Sequence, residues 1–315
     1  MAVDTQLLFG QPLPLLVYSF SSRGFPDLID QIRTYVPLIS SSYLISLYDY
    51  KYLLNGNNRI FVNDHRIRIW DSGGYEIRSS DDISAVKSAL PGSQVWNEKL
   101  YIDVANTVPW NGSDILVSYD GPADNLTLSD QLDKAFALYE RIKGNYLKDV
   151  LLHLEYPPDA KEVANALVPF ADKINIVGFT EKEVAPTWVD GVIFLHALNT
   201  EFSRLGMHDR FLIHIFGCFD PKSIIRFALA GAHIFDGLTW LRFVFHKDST
   251  LYKREFEYLV QPSSLLGADI ESSIIAHNIR EIERLRSDLG YALATSDFSA
   301  YEEICGVLKK LTTGG

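Results

Sequence analysis

The run "FLIHIFGCFDPKSIIRFALAGAHIFDGLTW", residues 211–240, reads as a strand, a helix and a second strand. "FLIHIFG" (211–217) is an apolar, aromatic and β-branched stretch that ends on a glycine turn. "DPKSIIRFALAGA" then spaces its apolar residues as a helix does. "HIFD" (233–236) is apolar again and stops on Asp236. Strands that alternate with helices belong to βα units and a parallel sheet.

Working outward, the same alternation runs through the chain. Strands are expected at 15–20, 43–48, 67–71, 115–120, 150–155 and 174–179, with 211–217 and 233–236 completing the set. Helical spacing recurs between them. In "LSDQLDKAFALYERIKG" (128–144), Leu132, Phe136 and Tyr139 share a face, Ser129 is the expected cap, and Gly144 the expected stop. Eight strands with interleaved helices predict an α/β (β/α)8 TIM barrel, and 315 residues suit that fold. A doubly wound open sheet is the rival arrangement. No Pro/Gly/Ser-rich linker, repeat or low-complexity tract divides the chain. Residues 1–315 are therefore read as a single barrel domain, with a C-terminal helical segment, about 270–315, outside the eight units.

Composition narrows the class. Hydrophobic residues make up 47% of the chain, enough for a sizeable core. A net charge of −11 argues against a general nucleic-acid-coating or membrane-surface protein, but leaves room for a local basic groove. Arg242, Lys247, Lys253 and Arg254 form one such cluster. The two cysteines, Cys218 and Cys305, make no CxxC pair, which argues against a disulfide framework and fits a reducing compartment. No apolar run reaches the roughly 18 residues of a membrane span, and the start lacks a basic n-region. The expectation is a cytoplasmic protein with no membrane partner.

Three aspartates, Asp71, Asp120 and Asp236, each follow an apolar run and precede small residues: "WDSGGY", "SYDGPADN" and "IFDGLTW". In a barrel the carboxyl ends of all strands open onto one face, where active sites form. Converging carboxylates repel, so at least one is expected to hold its proton more tightly, which suits nucleophilic and acid/base chemistry. The competing reading is plain: Asp-Gly and Asp-Ser start ordinary turns.

The pattern resembles the tRNA-guanine transglycosylase superfamily, barrel enzymes that exchange a guanine for a 7-deazaguanine base. "DSGGYE" at 71–76 is similar to that family's motif after strand three. "DILVSYDGPAD" at 114–124 resembles its strand-four segment, residues 211–240 its last barrel unit, and "HNIREIERL" at 277–285 its C-terminal helix. The ordered matches cover roughly residues 67–290. The resemblance implies that Asp236 is the nucleophile at C1′ of the target nucleotide and that Asp71 moves the purine's proton. Asp120 would read the base's N–H edge, Tyr75 would stack on the base, and Ser72 would hold its edge. Gly73 and Gly74 would let the base lie against the backbone, and Gly178 would contact the 7-substituent. His153 stands where the family commonly has a glutamine and is read as a core or supporting histidine.

Two departures from the family qualify this. Its zinc site needs three cysteines in a CxCxxC run and a distant histidine. Here His277 occupies the histidine position, while "YLVQPSSLLGADIESSI" (258–274) holds no cysteine, so no metal or other cofactor is expected. His277 is read as a helix-start or packing residue. The bacterial form follows its nucleophile with Pro-Thr-Arg. "DGLTWLRFVF" looks more like the archaeal branch, with Arg242 the nearest candidate for a nucleic-acid contact. The resemblance implies a guanine transglycosylase-like pentosyltransferase whose partners are a nucleic acid and a free 7-deazaguanine base. The missing zinc segment and the acidic charge favour the DNA-modifying branch over tRNA. A catalytically silent, transglycosylase-like binding subunit, with or without a partner subunit, is the alternative from another class. A barrel hydrolase acting on a sugar or phosphate ester is a third, against which "DSGGYE" speaks.

Overall fold

The computed structural model describes residues 7–25, 27–54, 64–77, 95–121, 126–256 and 268–313. Eight parallel strands close into a barrel: β1 (Leu15–Phe20), β2 (Ser42–Ser46), β3 (Ile67–Asp71), β4 (Asp114–Val117), β5 (Tyr146–Leu151), β6 (Ile176–Thr180), β7 (Leu212–Phe216) and β8 (Ile234–Gly237). β8 closes on β1 with Asp236 opposite Val17, so the open sheet is excluded. Helices α1 (Leu28–Tyr35), α2 (Glu98–Ala105), α3 (Leu128–Tyr139), α4 (Ala160–Leu167), α5 (Trp188–Arg204) and α6 (Pro221–Leu229) lie in the crossovers, and α7 (Ala268–Thr295) and α8 (Glu302–Thr313) follow.

Local chemistry sets the helix starts. Thr127 and Asp130 form a capping box on α3, and Thr187 and Asp190 form another on α5. Asp220 caps α6, with Pro221 in the first turn where its missing N–H costs nothing. The expected cap Ser129 is thus displaced by Thr127. The expected stop Gly144 lies beyond the end of α3, and a Cβ there would sit 2.5 Å from the Trp110 indole nitrogen.

Strand alternation sends Leu15, Val17, Leu44, Ile67, Ile69, Ile115, Val117, Ile176, Leu212 and Ile234 into the lumen, where they pack together. Leu8 and Leu13, around a short hairpin before β1, join this cluster and cap the barrel's N-terminal end. The opposite faces of the strands pack under the helices in a larger core that includes Tyr18, Trp70, Phe179 and Trp240.

Two expectations are corrected. β5 is Tyr146–Leu151 rather than 150–155. Its first half carries Lys148 and Asp149, which hid the strand behind the more apolar run that follows. Lys148 lies over the rings of Phe136 and Tyr139, 5.1 and 5.7 Å from their centroids, and Asp149 is fully buried. Of the C-terminal segment, α7 belongs to the eighth unit, whereas α8 is an addition beyond it, as expected. α7 is the helix that follows β8: it accepts the Tyr18 hydroxyl of β1 at the Ile279 carbonyl, 3.2 Å, and packs on α6. Asn278, fully buried on α7, donates to the carbonyls of Trp240 and Phe243 and accepts the Phe245 N–H. That network satisfies the backbone just beyond β8.

Candidate active site

Asp71 is the last residue of β3 and Asp236 lies within β8, whereas Asp120 stands three residues beyond the end of β4. All three are at the carboxyl end of the barrel. Asp71 is walled by protein at the partly open mouth, and its carboxyl is pushed up to about 7. Burial is the largest cause, and the charges of Asp236 and Asp120 add to it. The Gly73 N–H, 3.1 Å from Asp71 Oδ2, works in the opposite direction.

The "DSGGY" turn has its own logic. Gly73 has φ +87, a backbone that disfavours side chains, and a Cβ there would lie 2.7 Å from the Tyr48 Cβ. At Gly74 a Cβ would come within 2.4 Å of Asp120 Oδ2. The second glycine therefore lets the β3 and β4 loops meet, a reason beyond the close base approach expected from sequence. Ser72 is buried. Its hydroxyl accepts the Gly74 N–H at 3.1 Å and its carbonyl accepts the Trp96 indole N–H at 2.8 Å. Tyr75 is held by two arginines. Arg23 donates to its carbonyl at 2.5 Å and lies 4.8 Å from its ring centroid, while Arg242 donates to its hydroxyl at 3.1 Å. Arg242, proposed for a nucleic-acid contact, is thereby brought to the base-stacking candidate. Gly178 lies inside β6, not at its end. Its carbonyl accepts the Leu152 N–H, and a Cβ would lie 2.2 Å from the Phe216 ring. The space it leaves is filled by that ring.

Two histidines complete the charge pattern. His153, past the end of β5, contacts Asp120 Oδ1 at 2.9 Å and Glu183 Oε1 at 2.8 Å. Those two hydrogen bonds raise it to about 9, so it is an imidazolium at neutral pH. Fully buried His214 on β7 lies 2.7 Å from Asp149 Oδ2 and 3.4 Å from Asp236 Oδ1. Burial alone would lower it, but Asp149 and then Asp236 outweigh that and bring it to about 9. Asp236 is held further by the Ser19 hydroxyl, 2.7 Å from Oδ2, and the Gly217 N–H, 3.0 Å from Oδ1. Sequence reading missed His214, Asp149 and Ser19. Both Asp149 and His214 sit at lumen positions of strands; for His214 a polar residue in an apolar run was the available signal, whereas Asp149 lies in the charged half of β5 that concealed the strand.

Below the "DSGGY" turn, Glu76 accepts the Ser21 hydroxyl and Asp49 accepts the Ser22 N–H. Burial raises both carboxyls, Asp49 to about 6. A groove of about 650 Å³ adjoins the mouth through His153 and runs past Gln131, Tyr156 and Glu162. A second cavity, about 320 Å³, lies at the N-terminal end around Asp64 and Arg66, away from the three aspartates.

His277 lies inside α7 rather than at its start, and its Nε2–H donates to the Phe245 carbonyl at 2.7 Å. Residues 258–274 contain no cysteine, and one histidine cannot make a tetrahedral site, so these residues do not fit the family's zinc site. Part of that run, 257–267, lies outside the described residues. Among the described residues no group of three His, Cys, Asp or Glu is arranged to hold a metal ion, and no helix is long and apolar enough to cross a membrane. No family model and no curated protein sequence matches the chain.

Proposed function

We propose that the protein is a glycosyltransferase that exchanges guanine in a nucleic acid for a 7-deazaguanine base through a covalent aspartyl intermediate. The observation that carries this reading is the division of labour among the three aspartates. Asp236 and Asp120 each face a histidine imidazolium, whereas Asp71, beside both, is poised near 7. An acid/base group works best when it titrates near the working pH.

In the first half-reaction an Asp236 oxygen bonds to C1′ as the C1′–N9 bond breaks, and protonated Asp71 gives its proton to the departing purine. In the second, Asp71 takes the N9 proton of the incoming 7-deazaguanine, whose nitrogen attacks C1′ and releases Asp236. Asp120, which also bonds His153, accepts from the base's N–H edge. Tyr75 supplies the stacking surface, and Arg23 and Arg242 beside it supply positive charge for phosphates. Either polymer must flip its nucleotide out to reach the mouth. DNA is favoured over tRNA because the chain lacks the cysteine run of the family's zinc segment.

The test is to incubate the protein with labelled guanine and a 7-deazaguanine, offering separate DNA and tRNA pools. Label in DNA that Asp236→Asn abolishes is the expected result. Label in tRNA alone keeps the chemistry and moves the polymer. Binding without label or adduct under every condition would instead indicate a silent binding subunit.

A further inference from the structure

Lumen-facing residues of the lower barrel are aliphatic, and filling a barrel demands nothing else. Higher up, three strands depart from this together. β5 supplies Asp149, β7 supplies His214, and β8 supplies Asp236, in one line of contacts: Asp149 Oδ2 to His214 Nδ1 at 2.7 Å, then His214 Nε2 to Asp236 Oδ1 at 3.4 Å. β6 makes room for it. A Cβ on Gly178 would lie 3.1 Å from Asp149 Oδ1 and 2.2 Å from the Phe216 ring, which packs against the imidazole with centroids 3.8 Å apart. Asp149 and His214 have no exposure at all. A buried ion pair of this kind is on average no more stabilising than apolar residues of the same volume, so packing does not account for it.

We propose that His214 is the positioning residue of the nucleophile, a fixed countercharge that Asp149 locks in place and that aims the Asp236 carboxylate at its target. This rests on the reading that Asp236 attacks the sugar. The contact at 3.4 Å has ion-pair separation without hydrogen-bond alignment, and His214 Nε2 has no hydrogen-bond partner. His214 therefore acts on the carboxylate through charge, and the hydrogen bonds that hold its two oxygens come from Ser19 on β1 and the Gly217 N–H. Asp149 has a distinct part in the cycle. Once Asp236 becomes a neutral ester, its charge is gone, and an imidazolium facing it alone would lose its proton. Asp149 keeps the positive charge in place until the ester is broken. The titratable groups facing His214 are Asp149 from β5 and Asp236 from β8; β6 presents Gly178, and β1 presents Ser19 through Asp236. Beyond Asp236, Asp71 and the buried Cys218 are the next groups that interact with it.

One arm of the test needs no substrate. Protein labelled with 15N-histidine is titrated by NMR, His214 being assigned with His214→Gln. Both ring nitrogens should carry protons at pH 7.5, the deprotonation midpoint should lie toward 9, and Asp149→Asn should lower it. A neutral His214 at pH 7.5 overturns the proposal, whatever the protein does to nucleic acid.

The second arm measures covalent trapping on nucleic acid between pH 5 and 8. His214→Gln should slow adduct formation about 10²-fold at pH 7, the scale on which a lost preorganised charge contact acts. Its acid limb should move to higher pH, because two buried carboxylates without a cation hold a proton more tightly. KM for the polymer should hold. Asp149→Asn/His214→Gln removes one of those carboxylates and should recover part of the loss, which a merely structural defect would not do. Wild-type trapping by a normally folded His214→Gln across this range overturns the proposal. If the wild-type protein traps nothing, it is the transglycosylase reading that fails, and the NMR arm still decides the charge of His214.

Discussion

The Asp71 carboxyl accepts the Gly73 N–H, and burial with the charges of Asp236 and Asp120 pushes it up to about 7, so on the proposed reading turn-forming and proton transfer would belong to one side chain. An acid whose folded pKa is raised costs stability as pH climbs from the ordinary carboxylate range through that value. Asp71→Asn keeps an oxygen for the Gly73 N–H and removes the buried charge. It should melt close to the wild type near pH 4 and a few degrees above it at pH 8, while on the proposed chemistry turnover falls about 10²–10⁴-fold, the usual worth of a general acid/base. A mutant that melts early at both pH values would make Asp71 a structural turn residue. The sequence exposed Asp71, Asp120 and Asp236 because each follows an apolar run. It did not show that His153 bridges Asp120 and Glu183, since those three follow three different strands.

Between β3 and β4, on the face turned toward the helices, Arg68 and Asp114 form a buried pair with contacts of 2.7 and 2.8 Å. Asp114 also accepts the Trp70 indole N–H at 2.9 Å and the Asn111 N–H at 2.6 Å, and Arg68 donates to the Pro109 carbonyl at 2.7 Å. This pair fixes the start of β4 against β3. Asp114→Ala strands the guanidinium without its counterion, and chemical denaturation should report a loss of about 3–5 kcal/mol. An unchanged denaturation midpoint would show that the pair contributes nothing. Strand positions were legible wherever the run was apolar, as in β1, β3 and β7. β5 was misplaced by four residues because Lys148 and Asp149 serve different neighbours on its two faces, and periodicity alone cannot see a neighbour.

Among the described residues, two histidines and two aspartates with raised pKa values bear on stability near and above neutral pH. His153 and His214, brought to about 9, stabilise the fold fully below about 6.5 and lose that contribution as pH rises through 9. Asp49 and Asp71, raised to about 6 and 7, have already withdrawn theirs by neutrality. The melting temperature should therefore fall steadily from pH 6.5 to 9, and His153→Gln should flatten the decline; a level curve in the wild type would contradict the charge pattern. The barrel itself was legible from eight alternating runs. The placement of α7 was not, because its polar docking contacts, from Asn278, His277 and the Ile279 carbonyl, reach groups far away in the chain. One feature at the far end reaches into kinetics. With Leu8 and Leu13 closing over a lumen already filled by aliphatic side chains, the described residues leave the three aspartates at the carboxyl end as the place where a base can meet them. On the proposed chemistry the outgoing and incoming bases must occupy that place in turn, so the exchange would run as a ping-pong cycle in which free guanine competes with its own replacement.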